Sequence, residues 1–554
     1  MELNQILMLV TIGAYLLVVL AIGVWASRRN SSTDDFYLGG RRLGSLVTAM
    51  SAEASDMSSW LLMGLPGVAY ATGLADATWT AIGLAAGTYL NWLIVSKRLR
   101  NYSQVTKAIT LPDFFSNRYR DKYKILMALS ALIIIVFFVP YTASGFAACG
   151  KLFSSLFHID YLLAMGISAA VIVAYTCIGG FLAASTTDFI QSIIMTIALL
   201  IVFFFGAACA GGFGDVFGNA ASHPGYLDLT QIFNPETNSA EPYGILKIFS
   251  MLAWGLGYFG MPHVLLRFMA ISDSRKLKTS RRVASVWVVI SLGIAIVIGI
   301  IGLGMVENTH AMDPLKDPET VIIQISNLLS HFGWFPALVA GLILAGILAS
   351  TMSTADSQLL AASSGVSENI LGGLFRLKPS KRATMWIARA TLVGIAIVAF
   401  FLAWDPNSSV FEIVSFAWAG FGATFGPVML FALFWRRSNI YGAFSGMVVG
   451  GSMVFIWKFL IAGFGGPLAI YELLPAFIAA CIVNIVVSLI TKKPGQDMLD
   501  EFDRVKSIRH SDEIDGGDGG SGSGDEPEPV AVGVGAGSES SSGTRSSGRH
   551  YRED

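Results

Sequence analysis

Charge is scarce in this chain. Asp, Glu, Lys and Arg together make up 14% of its 554 residues, where a soluble globular domain carries about 25%. A surface facing water on every side is excluded. The charges that exist nearly cancel, to a formal net charge of −1, which leaves no basic surface for nucleic acid. Cysteine is also rare. Cys149, Cys177, Cys209 and Cys481 lie apart in apolar blocks, without disulfide or metal spacing, and read as small core residues. The histidines His158, His223, His263, His310 and His331 form no metal-like cluster, and no nucleophile–base pattern accompanies them. This counts against an enzyme. The start MELNQ lacks a basic region, and Arg28 and Arg29 follow the first apolar run instead of preceding it, so residues 5–26 are not read as a signal peptide.

What is abundant is apolar. Hydrophobic residues make up 54% of the chain, with a mean hydropathy of +0.62. They come in blocks of about 20, the length of a helix that crosses roughly 30 Å of hydrocarbon. Thirteen such blocks lie near 5–26, 46–72, 77–96, 125–150, 161–180, 189–211, 244–270, 284–305, 334–362, 384–403, 410–435, 439–462 and 469–490. The fold class is therefore an all-α polytopic membrane protein with about thirteen transmembrane helices. Basic residues concentrate in alternate connections: 27–45, 97–124, 271–283, 376–382, Arg436–Arg437 and Lys492–Lys493. The stretch 211–243 has no Lys or Arg. The positive-inside rule then predicts an N-terminus outside and a C-terminus inside. Residues 1–493 are expected to form one transmembrane domain. From 494 to 554 the chain turns acidic and Gly/Ser-rich, which predicts a disordered cytoplasmic tail.

Three spans contain residues that hydrocarbon penalises. The first holds SAEASDMSSW at 51–60, with Glu53 and Asp56, and then GLPG. The second, SMLAWGLGYFGMPH at 250–263, has three glycines and Pro262. The third, ASTMSTADSQ at 349–358, gathers small hydroxyls and Asp356. Gly/Pro-interrupted spans at corresponding places in two halves point to a transporter binding site. Blander readings stand beside this. Glycines also permit close helix packing, and serine and threonine hydroxyls bond back to their own helix. Trp254 and Tyr258, four residues apart, could be ordinary core neighbours, and Asp188 a helix-capping acid. An acid in mid-span points to function by default.

Several stretches in consistent order resemble one family. These are FYLGGRRLG, ASDMSSWLLMGLPG, TLPDFF, YTCIGGFLA, WGLGYFGMPHVLLRFMA, MSTADSQLL and SFAWAGFGATFGPV. Together they resemble the sodium/solute symporter family, and within it the proline-transporting branch, over residues 5–490. The resemblance implies a LeuT-like fold of two inverted five-helix repeats, with one span before them and two after. It implies import of L-proline coupled to Na+ across the plasma (inner) membrane, with no organic cofactor and no obligatory protein partner beyond the lipid bilayer. It implies a sodium site formed by the carbonyls of Ala54, Met57 and Ser350 with the hydroxyls of Ser353 and Thr354. Asp56 and Ser58 match sodium-linked positions, and Asp188 and Arg41 match polar positions implicated in coupling. Tyr141, Trp254, Tyr258 and Pro262 match positions around proline. Glu53 and Ser59 stand where the pattern has small residues, and Ser350 where alanine is usual. Glu53 leaves the ion stoichiometry and any proton contribution open. A symporter for another small solute, a membrane sensor and a channel remain as alternatives.

Overall fold

In hydrocarbon a backbone N–H finds no water, so an apolar run must satisfy its polar groups within itself, as a helix does. The computed structural model describes residues 2–27, 33–377, 380–508 and 510–515, and in it every one of the thirteen apolar blocks falls on helix. The principal helices are α1 (Leu3–Ser27), α2 (Ser45–Ser59), α3 (Leu65–Thr72), α4 (Leu74–Leu90), α5 (Ile125–Phe157), α6 (Tyr161–Cys209), α7 (Ile245–Leu252) and α8 (Pro262–Ala270). They continue with α9 (Leu277–Glu307), α10 (Trp334–Ser364), α11 (Lys381–Leu402), α12 (Val410–Phe434), α13 (Ile440–Ile456), α14 (Leu473–Ile490) and α15 (Gln496–Ser507).

Among the described residues, nine helices are long and apolar enough to cross a membrane, or ten with the bent pair Ile245–Phe259 and Pro262–Ala270. The difference from thirteen has identifiable causes. Helix α6 holds two of the expected blocks in 49 residues. At about 1.5 Å per residue that is more than twice a bilayer core. It is interrupted at Gly180, whose φ of 68° suits glycine. Blocks 46–72 and 77–96 are helical but interrupted, the first at Ser58 and both by wider π turns at Trp60–Gly64 and Asn91–Val95.

Helix α10 packs against α1, α2, α5 and α6, while α12 packs against α5, α13, α14 and the turn Ala253–Phe259. The outward faces stay apolar: Val286, Val289 and Ile290 on α9, and Ile482, Val486 and Leu489 on α14, are exposed. Such bands are a liability in water and ordinary against lipid. The protein is a multi-pass membrane protein.

The glycine-rich stretch 250–263 serves both uses weighed for it. A Cβ on Gly255 would strike the carbonyl of Gly83 on α4, and one on Gly257 the indole of Trp418, so close packing is real. So is the break: Ala253–Phe259 winds as a tight 3-10 turn, and α8 begins at Pro262 after a bend of 42°. Between α6 and α7 lies a short hairpin, β1 (Gln231–Asn234) and β2 (Ser239–Pro242), antiparallel with Gln231 opposite Pro242.

Helix continues past the expected boundary at 494. Helix α15 buries Met498, Phe502 and Val505. The Phe502 ring lies 5.0 Å from the Arg98 guanidinium and 5.2 Å from that of Arg118, within the range of cation–π attraction. Asp497 and Glu501 pair with Arg120, and Asp503 with Arg436. The amphipathic spacing of Met498, Phe502 and Val505 is a helix signal overshadowed by the Gly/Ser-rich composition of the residues after it. The expected tail from 516 onward lies outside the described residues.

Candidate functional site

Helix α2 runs from Ser45 and breaks near its end. Ser58 adopts φ 49° and ψ −168°, a conformation that costs a non-glycine residue free energy and marks places the surrounding structure holds by force. The carbonyls of Met57 and Ser58 still accept the Trp60 N–H, and the Ser58 hydroxyl accepts the same N–H at 3.2 Å.

Four of the five expected sodium ligands are joined directly. The Ser353 hydroxyl donates to the Ala54 carbonyl at 2.9 Å and lies 3.1 Å from the Ser350 carbonyl. The Thr354 hydroxyl donates to the same Ser350 carbonyl at 3.0 Å. Adjacent side chains on a helix diverge by about 100°, yet these two bracket one carbonyl, one reaching back three residues and the other four. The back-bonding expected of helical hydroxyls thus draws them into one polar knot between α2 and α10. Met57 is buried beside them in sequence, but its carbonyl is engaged by Trp60.

Asp56 ties three elements together. Its Oδ2 accepts the Tyr258 phenol at 2.5 Å, and its backbone carbonyl accepts the Tyr141 phenol at 3.0 Å. Oδ1 has no hydrogen-bond partner. Two residues expected around the substrate therefore hold the acid expected to be sodium-linked. Trp254 sits in an aromatic cluster: it stacks on Tyr471 with centroids 5.0 Å apart, and lies 5.5 Å from both Trp60 and Phe411. The Trp418 indole N–H donates to the Trp254 carbonyl at 2.8 Å. Trp60 and Trp418 lie in stretches already singled out, ASDMSSW and SFAWAGFG; Phe411 and Tyr471 carry no such signal. Pro262 is not brought to this cluster. It opens α8 and lines a separate small cavity with Tyr37, Thr110, Phe181 and Ser357.

Asp188 does not cap a helix. It lies two turns past the break at Gly180, fully buried, and its Oδ2 meets Arg267 Nη2 at 3.0 Å. Ser51 and Ser55 of α2 donate to the same carboxylate oxygen at 2.7 and 3.1 Å. Arg267 also donates to the hydroxyls of Ser51, Ser55 and Ser357, and its guanidinium lies over the Phe181 ring at 5.2 Å. Sequence reasoning misses this arginine, which lies in the motif VLLRFMA. Its signal is a lone cation in a span, a residue type that seldom enters hydrocarbon without a partner. Asp356 is buried beside this cluster and accepts the Ser357 hydroxyl at 3.1 Å. Arg41 stands apart as a clamp, donating to the carbonyls of Met269 and Ala108 at 2.6 and 2.7 Å and to Ser103.

Comparison with known proteins adds identity to this geometry. The model of the sodium:solute symporter family matches residues 36–450. This chain belongs to the sodium:solute symporter family. Among its relatives are the sodium/proline symporter of Haemophilus influenzae, 43% identical over 90% of this chain and 97% of its own length, and the high-affinity proline transporter PutP of Bacillus subtilis, 42% identical over 87% and 98%. The osmoregulated proline transporter OpuE of Bacillus subtilis is 41% identical over 88% and 96%. Among solved structures, a Na+-coupled sialic acid symporter in a substrate-bound outward-open state aligns with TM-score 0.73 at 18% identity, covering 88% of this chain and 99% of that one. Mhp1, a nucleobase-cation-symport-1 family transporter, aligns with TM-score 0.54 at 14% identity, covering 86% and 99%. At such identities the likeness speaks of fold alone. This symporter shares the LeuT-type fold with them, as the sequence resemblance implied.

Proposed function

We propose that this symporter imports L-proline together with Na+ by alternating access, without enzymatic activity or an organic cofactor. The observation that carries the reading is the polar knot at the broken helix, where Ala54, Ser350, Ser353 and Thr354 gather carbonyl and hydroxyl oxygens beside Asp56. A small hard cation takes oxygen ligands, and an interrupted helix supplies them. The names of relatives at 41–43% identity supply the substrate. Met57 completes the ligand set in this proposal, with Ser58 and Asp56 next to it.

Proline is a zwitterion with an apolar ring. Its carboxylate meets N–H groups at the break near Ser58 and at the start of α8, where helix dipoles favour anions. Its ammonium lies over Trp254 or Tyr258, an attraction of about 0.5–2 kcal/mol. The ring packs on Tyr141 and the aromatic cluster, while Pro262, at its separate small cavity, stays outside the pocket. Asp188 and Arg41 act at the cytoplasmic side in coupling.

Thirteen spans, an N-terminus outside and a C-terminus inside in the bacterial plasma membrane complete the proposal. It is supported by Arg98 and Arg118 from one basic connection and Arg436 from another, which all meet α15. Residues from 516 on form an acidic cytoplasmic tail. Energetically one ion suffices. A charge crossing 100 mV yields about 2.3 kcal/mol and a tenfold gradient about 1.4 kcal/mol. Together these support roughly 500-fold accumulation.

Equilibrium binding of labelled proline to the purified protein tests this reading. Sodium is expected to tighten proline binding at least tenfold relative to potassium or choline, with other amino acids competing weakly. Equal affinity in all three salts contradicts it.

A further inference from the structure

Helix α11 carries a cation where the bundle meets lipid. Arg389 lies eight residues from the helix start at Lys381, about 12 Å along the axis. Its Nε donates to the Cys177 carbonyl of α6 at 3.1 Å, and its guanidinium lies 5.8 Å from the Trp386 ring. Among the described residues no carboxylate pairs with it. An arginine within a span rarely goes without a partner, and near a helix end it extends its head toward the interface. Trp386, one turn earlier and 61% exposed, fits the headgroup level where indoles collect.

A cavity adjoins this arginine. It encloses about 600 Å³ between α6 and α11, and Phe36, Ile178, Trp386 and Val393 line it together with Arg389. That is the size of an ordinary small-molecule site. Phe36 is buried and meets the Tyr37 ring edge-on, with centroids 5.0 Å apart. On the other side the cavity continues into an apolar stripe of α11, where Val393, Ile397 and Phe401 are exposed at four-residue spacing.

These two properties select one kind of occupant. A free anion satisfies the arginine and leaves the apolar walls bare. A neutral lipid covers the walls and leaves the arginine without an anion. A second copy docked face to face through α11 brings no acid, because α11 contains neither Asp nor Glu.

We infer that this cavity binds an anionic phospholipid, with its phosphate on Arg389 and the upper part of its chains along Ile178 and Val393. The inference rests on the proposed orientation for its leaflet: with the basic connection 376–382 in the cytoplasm, the site belongs to the inner leaflet, whose surface is negative. The carbonyl that holds Arg389 lies three residues before the Gly180 break of α6, so the lipid braces that break.

The test titrates delipidated full-length protein in detergent with dioleoylphosphatidylglycerol, dioleoylphosphatidylcholine or glycerol 3-phosphate, and counts bound molecules by native mass spectrometry. The native protein is expected to retain one phosphatidylglycerol about fivefold more tightly than phosphatidylcholine, the discrimination one arginine gives at a membrane surface. Glycerol 3-phosphate, which has no chains, is expected not to bind. Arg389→Gln is expected to hold the two lipids alike. Ala390→Trp, which fills the cavity from its wall and keeps the arginine, is expected to lose both. Equal retention of the two lipids by the native protein overturns the inference, as does a preference that survives in Arg389→Gln. Glycerol 3-phosphate bound as tightly as phosphatidylglycerol overturns it in favour of a plain anion site, and a dimer that Ala390→Trp dissolves overturns it in favour of a second copy. The native comparison decides alone if a variant does not fold. Detergent removes sidedness, and neither sodium nor proline is present, so a failure here is separate from a failure of the orientation or of the import reading.

Discussion

One helix, α2, faces two acidic clusters that the protein treats in opposite ways. Through Ser51 and Ser55 it joins Asp188, whose charge is met inside the protein by Arg267 and whose Oδ2 receives three hydroxyl or guanidinium donors. Through Glu53 and Asp56 it presents carboxylates whose donors are one indole and one phenol, with no basic partner among the described residues. Both clusters are buried, so burial does not distinguish them. What differs is whether the counter-charge is covalently part of the chain. The first cluster carries its cation within the chain, although Asp188 Oδ1 and Asp356 Oδ2 still lack donors; the second has no cation beside it among the described residues.

The contrast breaks first at Arg267. Arg267→Met leaves Asp188 charged and alone, and removing one partner of a buried pair costs about 3–5 kcal/mol. Thermal unfolding in detergent is expected to show a large loss, and Asp188→Leu combined with Arg267→Met to recover most of it. A single variant as stable as the native protein would show that the pair is not a structural one. Asp56→Asn is expected to do the reverse. It removes a charge that has no partner, so stability holds, while the sodium concentration for half-maximal uptake rises at least tenfold. Unchanged sodium dependence removes Asp56 from the ion site.

Smaller effects sharpen the comparison. Ser353→Ala removes one hydroxyl and its bond to the Ala54 carbonyl, a loss of about 1 kcal/mol to the fold. A several-fold weakening of sodium activation is expected on top, read from uptake at stepped sodium; a purely structural hydroxyl would leave that curve in place. The smallest effect is expected from cutting the chain after Asp515, which should leave uptake within about twofold of native. A cut after Lys493, by contrast, strips the Phe502 ring from Arg98 and Arg118, and should lower the thermal midpoint measurably. Identical behaviour of the two truncations would show that α15 contributes nothing.

Much of this is legible in the residues, for definite reasons. Long apolar blocks leave few choices to a backbone without water, so every expected block is helical. The breaks are visible as GLPG, as the glycines of 250–263 and as the acids at 53 and 56. Spacing does not reveal which helices share a kink, because Gly180 and Ser58 break the helix by backbone conformation that neighbouring elements impose. Nor does it reveal pairing across the bundle. Asp188 reads locally as a cap because its partner lies 79 residues away, and Pro262 reads as a pocket residue because its sequence neighbours are. The aromatic cluster draws Phe411 and Tyr471 from segments with no polar or glycine anomaly. Helix α15 is masked by the Gly/Ser-rich, acidic residues on its C-terminal side.

The most direct measurement is labelled-proline uptake into proteoliposomes with sodium inside and outside set independently. The account predicts accumulation above the bath only with an inward sodium gradient, increased by an inside-negative potential and abolished at low sodium by Asp56→Asn. Uptake of the same size with sodium replaced by choline on both sides would contradict it.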